Sequence, residues 1–447
     1  MPTSDPRRAG LTRRGLLAAG AAGVVGASLQ SCTGSSDRAG DNAGDGASEP
    51  TPRPTEPAPD LPMVRPFSSD QAYRSFGVAA HPSHRQAAYQ FTEEWMARLS
   101  DMGVTYFRGF YAHHVEETPA VTGLARRHGL GWGMTVCSGL DESEELLERR
   151  IAHIAANAAD VCLYVEGINE PNYDRGGGKV PTDWPETTAR LQKVIWNAVR
   201  SHPSLDDVPI LGPSLQAQVA GPADYRRLRR LGILRNLDIA GVHSYPNGYY
   251  PDRSLDERLQ VVEQQWPDVP IWITETGYHN ALQTRTGHLP TPEDVTALYA
   301  PAALLEAVDR GHKVAWYEAL DDPDSGAKDL IEHHFGLFAM GSGAAPPWRP
   351  KPVVATLTAL LAQLRDPGPA YEPPPVALRV TSSAPDLRFT ALGRRDGSVR
   401  VFLRRSASCW EPHSATRINV PDVRVRIESE SRSRTVDVGN RVVVVKI

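Results

Sequence analysis

From residue 76 to residue 365, short apolar runs alternate with segments of helical period. This alternation restricts the chain to folds built around a parallel sheet. The apolar runs fall at 76–80, 105–110, 131–137, 161–168, 210–213, 239–244, 271–274 and 314–318. Helical spacing is read between and after them at 86–102, 119–128, 143–157, 185–201, 223–231, 255–266, 291–310 and 352–365. The runs are apolar almost throughout, as strands buried on both faces must be. Eight strand–helix units in this length predict an α/β chain folded as a (β/α)8 TIM barrel. A doubly wound sheet shares the alternation, but no Gly-rich phosphate loop opens any of the helices, and no cofactor is expected.

The ends of the chain follow other rules. Thr12-Arg13-Arg14-Gly15 is a twin-arginine pattern, and the small-residue apolar run at 17–29 after it is too short to span a membrane as a mature helix. Residues 1–32 therefore read as an export signal, and Leu29-Gln30-Ser31-Cys32 resembles a lipobox whose Cys32 becomes the lipidated first residue. The localisation expected is the outer face of the cell membrane, with free secretion as the alternative. Residues 33–66 are rich in Gly, Ser, Asp, Pro and Thr and are expected to form a disordered tether. The barrel is then expected at 67–370. Pro373-Pro374-Pro375 precedes short alternating runs at 378–381, 387–392, 399–403, 423–427 and 442–447, which predict a sandwich-like all-β domain over 371–447. That domain is rich in arginine, including Arg379, Arg388, Arg394, Arg395, Arg400, Arg404, Arg405, Arg424 and Arg426. Two readings remain for them, a solvated strand face or contact with an anionic polymer or lipid surface.

With 447 residues and 40% hydrophobic content the chain has material for a large core. A net charge of -5 and a pI near 6.3 give no basic footprint for nucleic acid. Cys137, Cys162 and Cys409 follow no metal-ligand spacing. The pairs His113-His114 and His333-His334 have no partner at the i, i+4 spacing of a helical zinc motif, so no metal site is expected.

Two acidic residues close strand-like runs. Glu170 ends the run 161–168 through Asn169, and Glu275 ends the run 271–274. In barrels of parallel strands the carboxyl ends of the strands carry the chemistry. A pair of carboxyl groups there suits glycosidic cleavage, in which one protonates the leaving oxygen and the other attacks or activates water.

Asn169-Glu170-Pro171 resembles the acid/base motif of the retaining glycoside hydrolases of clan A, and Thr274-Glu275-Thr276-Gly277 resembles their nucleophile motif on the seventh strand. The resemblance covers roughly residues 75–364. It implies that Glu170 is the acid/base and Glu275 the nucleophile. It also implies an arginine beside the nucleophile at Arg108, a contact from Asn169 to the sugar 2-hydroxyl, and a strand-six His-x-Tyr at His243 and Tyr245 with Tyr245 bonded to the nucleophile. Trp316 would be the aromatic floor under the sugar. Family 5 members keep a histidine at the end of strand three, where this chain reads Thr135-Val136-Cys137-Ser138, so families 39, 128 or an uncharacterised relative stay open.

Glu166 projects to the same side as Glu170 by alternation and is assigned a supporting role. Tyr111, Tyr173, Trp184, Tyr249, Tyr250 and Tyr278 fall in loops that would ring the cleft and offer flat faces to a sugar. The function expected is retaining hydrolysis of a polysaccharide or oligosaccharide by double displacement. A transglycosylase using the same pair and a non-catalytic carbohydrate-binding lipoprotein are the alternatives.

Overall fold

A computed structural model describes residues 61–83, 88–111, 118–173, 179–284, 287–322, 330–341 and 343–447. The export signal, Cys32, the tether up to residue 60 and the His113-His114 pair lie outside the described residues. No helix among the described residues is long and apolar enough to cross a membrane.

The parallel strands close into a barrel. Phe76–Ala79, Tyr106–Phe110, Gly131–Cys137 and Cys162–Ile168 pair in sequence order. The fifth strand is split into Ile210–Leu211, beside the fourth, and Leu215–Gln216, beside Ala240–His243. Ile271–Thr276 and Val314–Trp316 complete the ring back to Phe76–Ala79. Bridges Asn169 to Ser214 and Leu211 to Ile239 carry the fifth strand across to both neighbours. The split has a local cause: Pro213 has no N–H for the ladder. Gly212 stands at φ +145°, where an added Cβ would lie 2.4 Å from Gln192 Oε1.

Eight helices shield the barrel: Thr92–Asp101, Thr118–His128, Glu144–Asn157, Trp184–Arg200, Pro222–Arg230, Pro251–Gln265, Glu293–Asp309 and Pro352–Leu364. The first is shorter than expected, because residues 88–90 form a separate 3-10 turn. Inside the barrel, Tyr106 and Tyr164 fill the lower layer with Leu211 and Ala315. Their rings explain two glycines: a Cβ on Gly77 would lie 2.2 Å from Tyr106 Cε2, and one on Gly133 would lie 2.1 Å from Tyr164 Cζ. The charged groups of the site stand above this apolar floor.

The second domain is a sandwich of two four-stranded sheets. One holds Met63–Val64, Val376–Ser382, Val423–Ser429 and Ser433–Val438; the other holds Phe67–Ser68, Leu387–Gly393, Val399–Arg405 and Val443–Lys446. Leu378, Val425 and Ile427 from one sheet pack against Leu387, Val401 and Leu403 from the other. The expected boundary at residue 66 is therefore corrected. The chain is already part of the β domain at Met63, which pairs with Ala377, and Phe67 pairs with Leu392. Two-residue strands carry too little alternation to stand out from a Pro-rich segment.

Helix Glu293–Asp309 lies between the two domains. Every residue from Val295 to Val308 except Leu298 is buried, which accounts for its lack of a polar face. The arginines of the β domain find an explanation here too. Arg394 and Arg395 pair with Asp366, Arg404 with Glu306 and Asp309, and Arg417 with Asp294. Arg424 and Arg426 remain on an exposed strand face.

Candidate active site

The barrel strands deliver an interlocked set of charged groups to their carboxyl ends. Arg108, on the second strand, is 4% exposed and spans the mouth. Its Nε donates to Glu166 Oε2 at 2.7 Å, and its Nη2 to Glu166 Oε1 at 2.9 Å and to Asn169 Oδ1 at 2.6 Å. Its Nη1 donates to Glu275 Oε1. Burial lowers the basicity of such a group, but Glu166 and Glu275 outweigh it, so the guanidinium stays charged. Burial likewise pushes the Glu166 carboxyl up, and Arg108 more than reverses this, holding it below the usual range. Thr135 Oγ1 donates to Glu166 at 3.0 Å, and Ser214 Oγ donates to its other oxygen. Glu166 thus anchors Arg108, the supporting role assigned to it.

Two backbone irregularities aim the remaining carboxylates. Glu170 has φ 48°, in the left-handed region that a residue with a Cβ rarely adopts. Its N–H donates to Ser214 O at 2.9 Å, and its carbonyl accepts from Tyr173 N at 3.1 Å. The turn sends the side chain back over the axis; such outliers gather where geometry serves function. On the seventh strand the register shifts between Ile273 and Glu275, a bulge-like irregularity that re-aims Glu275.

His243 and Tyr245 link the two. His243 is fully buried, and its Nε2 lies 3.3 Å from Arg108 Nη2, which can only donate. Nε2 is then the acceptor, and Nδ1 carries the hydrogen toward Glu170 Oε1 at 2.8 Å, with Glu275 Oε2 at 3.3 Å. Tyr245 Oη donates to Glu275 Oε2 at 2.6 Å. Burial and then Glu275 raise its pKa well above the usual phenol value, so it remains a donor. One atom each of Glu170, His243 and Glu275 lie within 4.8 Å of one another. Among the described residues this is the one group with a possible metal-ligand arrangement, but its nitrogen already bears the hydrogen that joins the carboxylates.

Glu170, Glu275, Arg108, Asn169, His243 and Tyr245 are thus brought together. Trp316 and Tyr278 are not, and both expectations are corrected. Ala315 points into the barrel, so strand alternation turns Trp316 outward into the helix layer, where its ring lies 5.9 Å from Tyr278. Tyr278 is buried beside it and donates to Tyr249 O at 2.8 Å. Tyr317 takes the inward place, with its ring 6.1 Å from Tyr245 and 5.2 Å from Phe335. Of the other expected rim aromatics, Tyr111, Trp184 and Tyr250 are buried as packing; Tyr173 is 47% exposed, and Tyr249 lies under Arg253 at 3.9 Å.

A second charged pair went unrecognised in the sequence. His81 Nε2 lies 3.0 Å from Glu318 Oε2, which also accepts from Tyr89 Oη at 2.8 Å. Burial raises the Glu318 carboxyl. Burial would lower His81, but Glu318 outweighs it and raises the imidazole above its ordinary value. These residues sit at the ends of strands one and eight, which become neighbours when the ring closes.

No family model matches the chain, and no curated protein matches its sequence. Solved structures do. A family 39 glycoside hydrolase from Bacteroides cellulosilyticus WH2 superposes with a TM-score of 0.58 at 16% identity, over 83% of this chain and 81% of the other. A monomeric β-xylosidase from Caulobacter crescentus CB15 gives 0.52 at 13% identity over 86% and 95%. A glucosidase from Croceicoccus marinus gives 0.51 at 13% identity over 84% and 82%. The likeness is one of fold. The barrel with its β domain is an architecture shared with these proteins, and the chemistry must be argued from the mouth.

Proposed function

We propose that the protein is a retaining glycoside hydrolase, with Glu275 as nucleophile and Glu170 as acid/base. The observation that carries this reading is the pair itself. Oxygens of Glu170 and Glu275 lie within 4.8 Å across the mouth. Retaining enzymes place the two carboxyl groups about 5 to 5.5 Å apart, while inverting ones leave about 6.5 to 9.5 Å for a water. That the solved structures of similar fold include a glycoside hydrolase, a β-xylosidase and a glucosidase agrees with it.

The role of Glu275 follows from its surroundings. Glu275 is held by the Arg108 guanidinium and the Tyr245 hydroxyl, both donors, which suits an ionised nucleophile. Glu170 accepts from His243 Nδ1, and its acid/base role rests on the Asn169-Glu170-Pro171 resemblance. In the first step the Glu275 carboxylate attacks the anomeric carbon, the glycosidic C–O bond breaks, and the leaving oxygen takes the Glu170 proton. In the second, the Glu170 carboxylate takes a proton from water, whose oxygen bonds to the anomeric carbon as Glu275 departs. Tyr317, Tyr245 and Phe335 supply an aromatic wall against which a sugar ring can lie.

The test uses a dinitrophenyl glycoside. Glu275→Gln should lose turnover by about four orders of magnitude or more, with no glycosyl-enzyme. Glu170→Gln should still form that intermediate and be accelerated by azide, giving a glycosyl azide of retained configuration. Equal losses in both variants without azide rescue overturn the assignment, and undiminished turnover in either favours a binding protein. We also propose attachment to the outer face of the cell membrane through Cys32. Cys32→Ala should release exported protein into the medium; wild-type protein already free there with another N-terminus refutes the anchor.

A further inference from the structure

The β domain reaches the mouth through one small hairpin. Trp410–Glu411 pairs antiparallel with Thr416–Arg417. Cys409 and Trp410 pack in the core of the barrel rather than in that of their own domain. The Trp410 indole N–H donates to Pro290 O at 3.0 Å, and Cys409 N–H to Tyr299 Oη at 2.9 Å. Ser408 Oγ accepts from Tyr250 N at 3.2 Å. Pro412 lies so close to the loop after strand six that a Cβ on Gly248, already at φ +80°, would stand 2.6 Å from Pro412 Cβ.

The loops so gripped hold the groups around Glu275. The loop after strand six begins with Tyr245, whose hydroxyl bonds Glu275. The loop after strand seven carries His288, whose ring lies 4.9 Å from that of Tyr245. Asn247 joins the loops by accepting from Leu289 N at 2.5 Å. A continuous path thus runs from the Trp410 indole through Pro290, Leu289 and Asn247 to Tyr245 and Glu275.

We propose that this hairpin is a positioning element for the reaction, through which Trp410 of the β domain sets the Tyr245 hydroxyl against Glu275. The proposal rests on the reading of Glu275 as nucleophile. Spatial continuity alone does not demonstrate coupling, so the test measures coupling directly. Trp410→Phe keeps an aromatic ring while removing the indole donor and some buried ring volume. It should lower kcat for an aryl glycoside by about three- to tenfold, the worth of one neutral hydrogen bond, with KM nearly unchanged. In a Tyr245→Phe background the same change should cost less than about twofold, because interacting positions are non-additive. Equal losses in both backgrounds, or no loss in either, overturn the proposal. A readout independent of turnover separates it from the functional assignment. In protein labelled with 3-fluorotyrosine, the Tyr245 resonance, assigned by its absence in Tyr245→Phe, should shift in Trp410→Phe. An unmoved resonance refutes the proposal even if the protein cleaves no sugar; a shifted one in a protein whose Glu275→Gln variant is unimpaired sinks only the assignment of the nucleophile.

Discussion

The molecule contains two buried arginine clusters, and they differ in their balance of charge. At the interface between domains Arg404, 1% exposed, donates to Glu306 Oε1 at 2.8 Å and Thr390 Oγ1 at 2.6 Å and pairs with Asp309, while Arg310 shares Glu306 at 2.8 Å. Arg310 also pairs with the exposed Asp256, so two cations there meet three carboxylates. In the mouth Arg108 holds Glu166 and Glu275, and a third carboxyl, Glu170, pairs with His243. A buried Arg–carboxylate network is thus no sign of chemistry in itself, since one also fastens the two domains. The Glu170 carboxyl, placed at the barrel mouth by an unusual backbone angle, marks the proposed reactive region.

This contrast fails if the two arginines behave alike on removal. Arg108→Met should lower kcat/KM by about three orders of magnitude or more, because it withdraws a preorganised charge from the proposed nucleophile, Glu275. Arg404→Met should leave kcat per folded molecule within about twofold and instead cost about 3 to 5 kcal/mol in urea unfolding, since Glu306 is left buried without its main partner. Equal catalytic loss in both variants would erase the distinction.

A smaller effect sharpens it through pH. Burial pushes Glu306 up, but Arg404 and Arg310 outweigh burial and hold its carboxyl below the ordinary 4.5. A carboxyl depressed in the folded state contributes stability above its unfolded value and loses it as pH falls through the lower folded one. Asp309, raised by burial, works in the opposite sense, so within this cluster the loss in acid belongs to Glu306. Stability measured by urea unfolding should therefore fall as pH drops below about 4.5, and Glu306→Gln should flatten that fall. An unchanged slope in the variant would place the acid sensitivity elsewhere. The smallest effect is expected at the exposed pair Arg126–Asp160, whose side chains are 45% and 58% exposed. Arg126→Ala should change stability by less than about 1 kcal/mol and activity not at all.

The barrel was legible in the sequence because the strands are nearly continuous apolar runs and most of the helices between them carry a helical period. The same logic placed Glu170 and Glu275, which close such runs. Parity was harder. Trp316 was assigned inward as the end of strand eight, but the interior at that level is already crossed by Tyr106 and Tyr164 and admits only the small side chain of Ala315. The His81–Glu318 pair could not be read, because its members meet only when the first and last strands become neighbours. Ser433–Val438 escaped because this strand carries mostly exposed polar residues. Arg404 looked like a surface residue until helix Glu293–Asp309 supplied its acidic partners, Glu306 and Asp309.

The pairing of the first described strands with the C-terminal domain has a mechanical consequence. Phe67–Ser68 and Val443–Lys446 form the two edges of one sheet, joined by Leu387–Gly393 and Val399–Arg405. Tension between the two ends of the chain can therefore cross that sheet from strand to strand. The barrel hangs from the β domain as an inserted loop, outside the line of force. A pull on the chain ahead of Met63 would strain the short edge strands first, leaving the spacing of Glu170 and Glu275 shielded from the load.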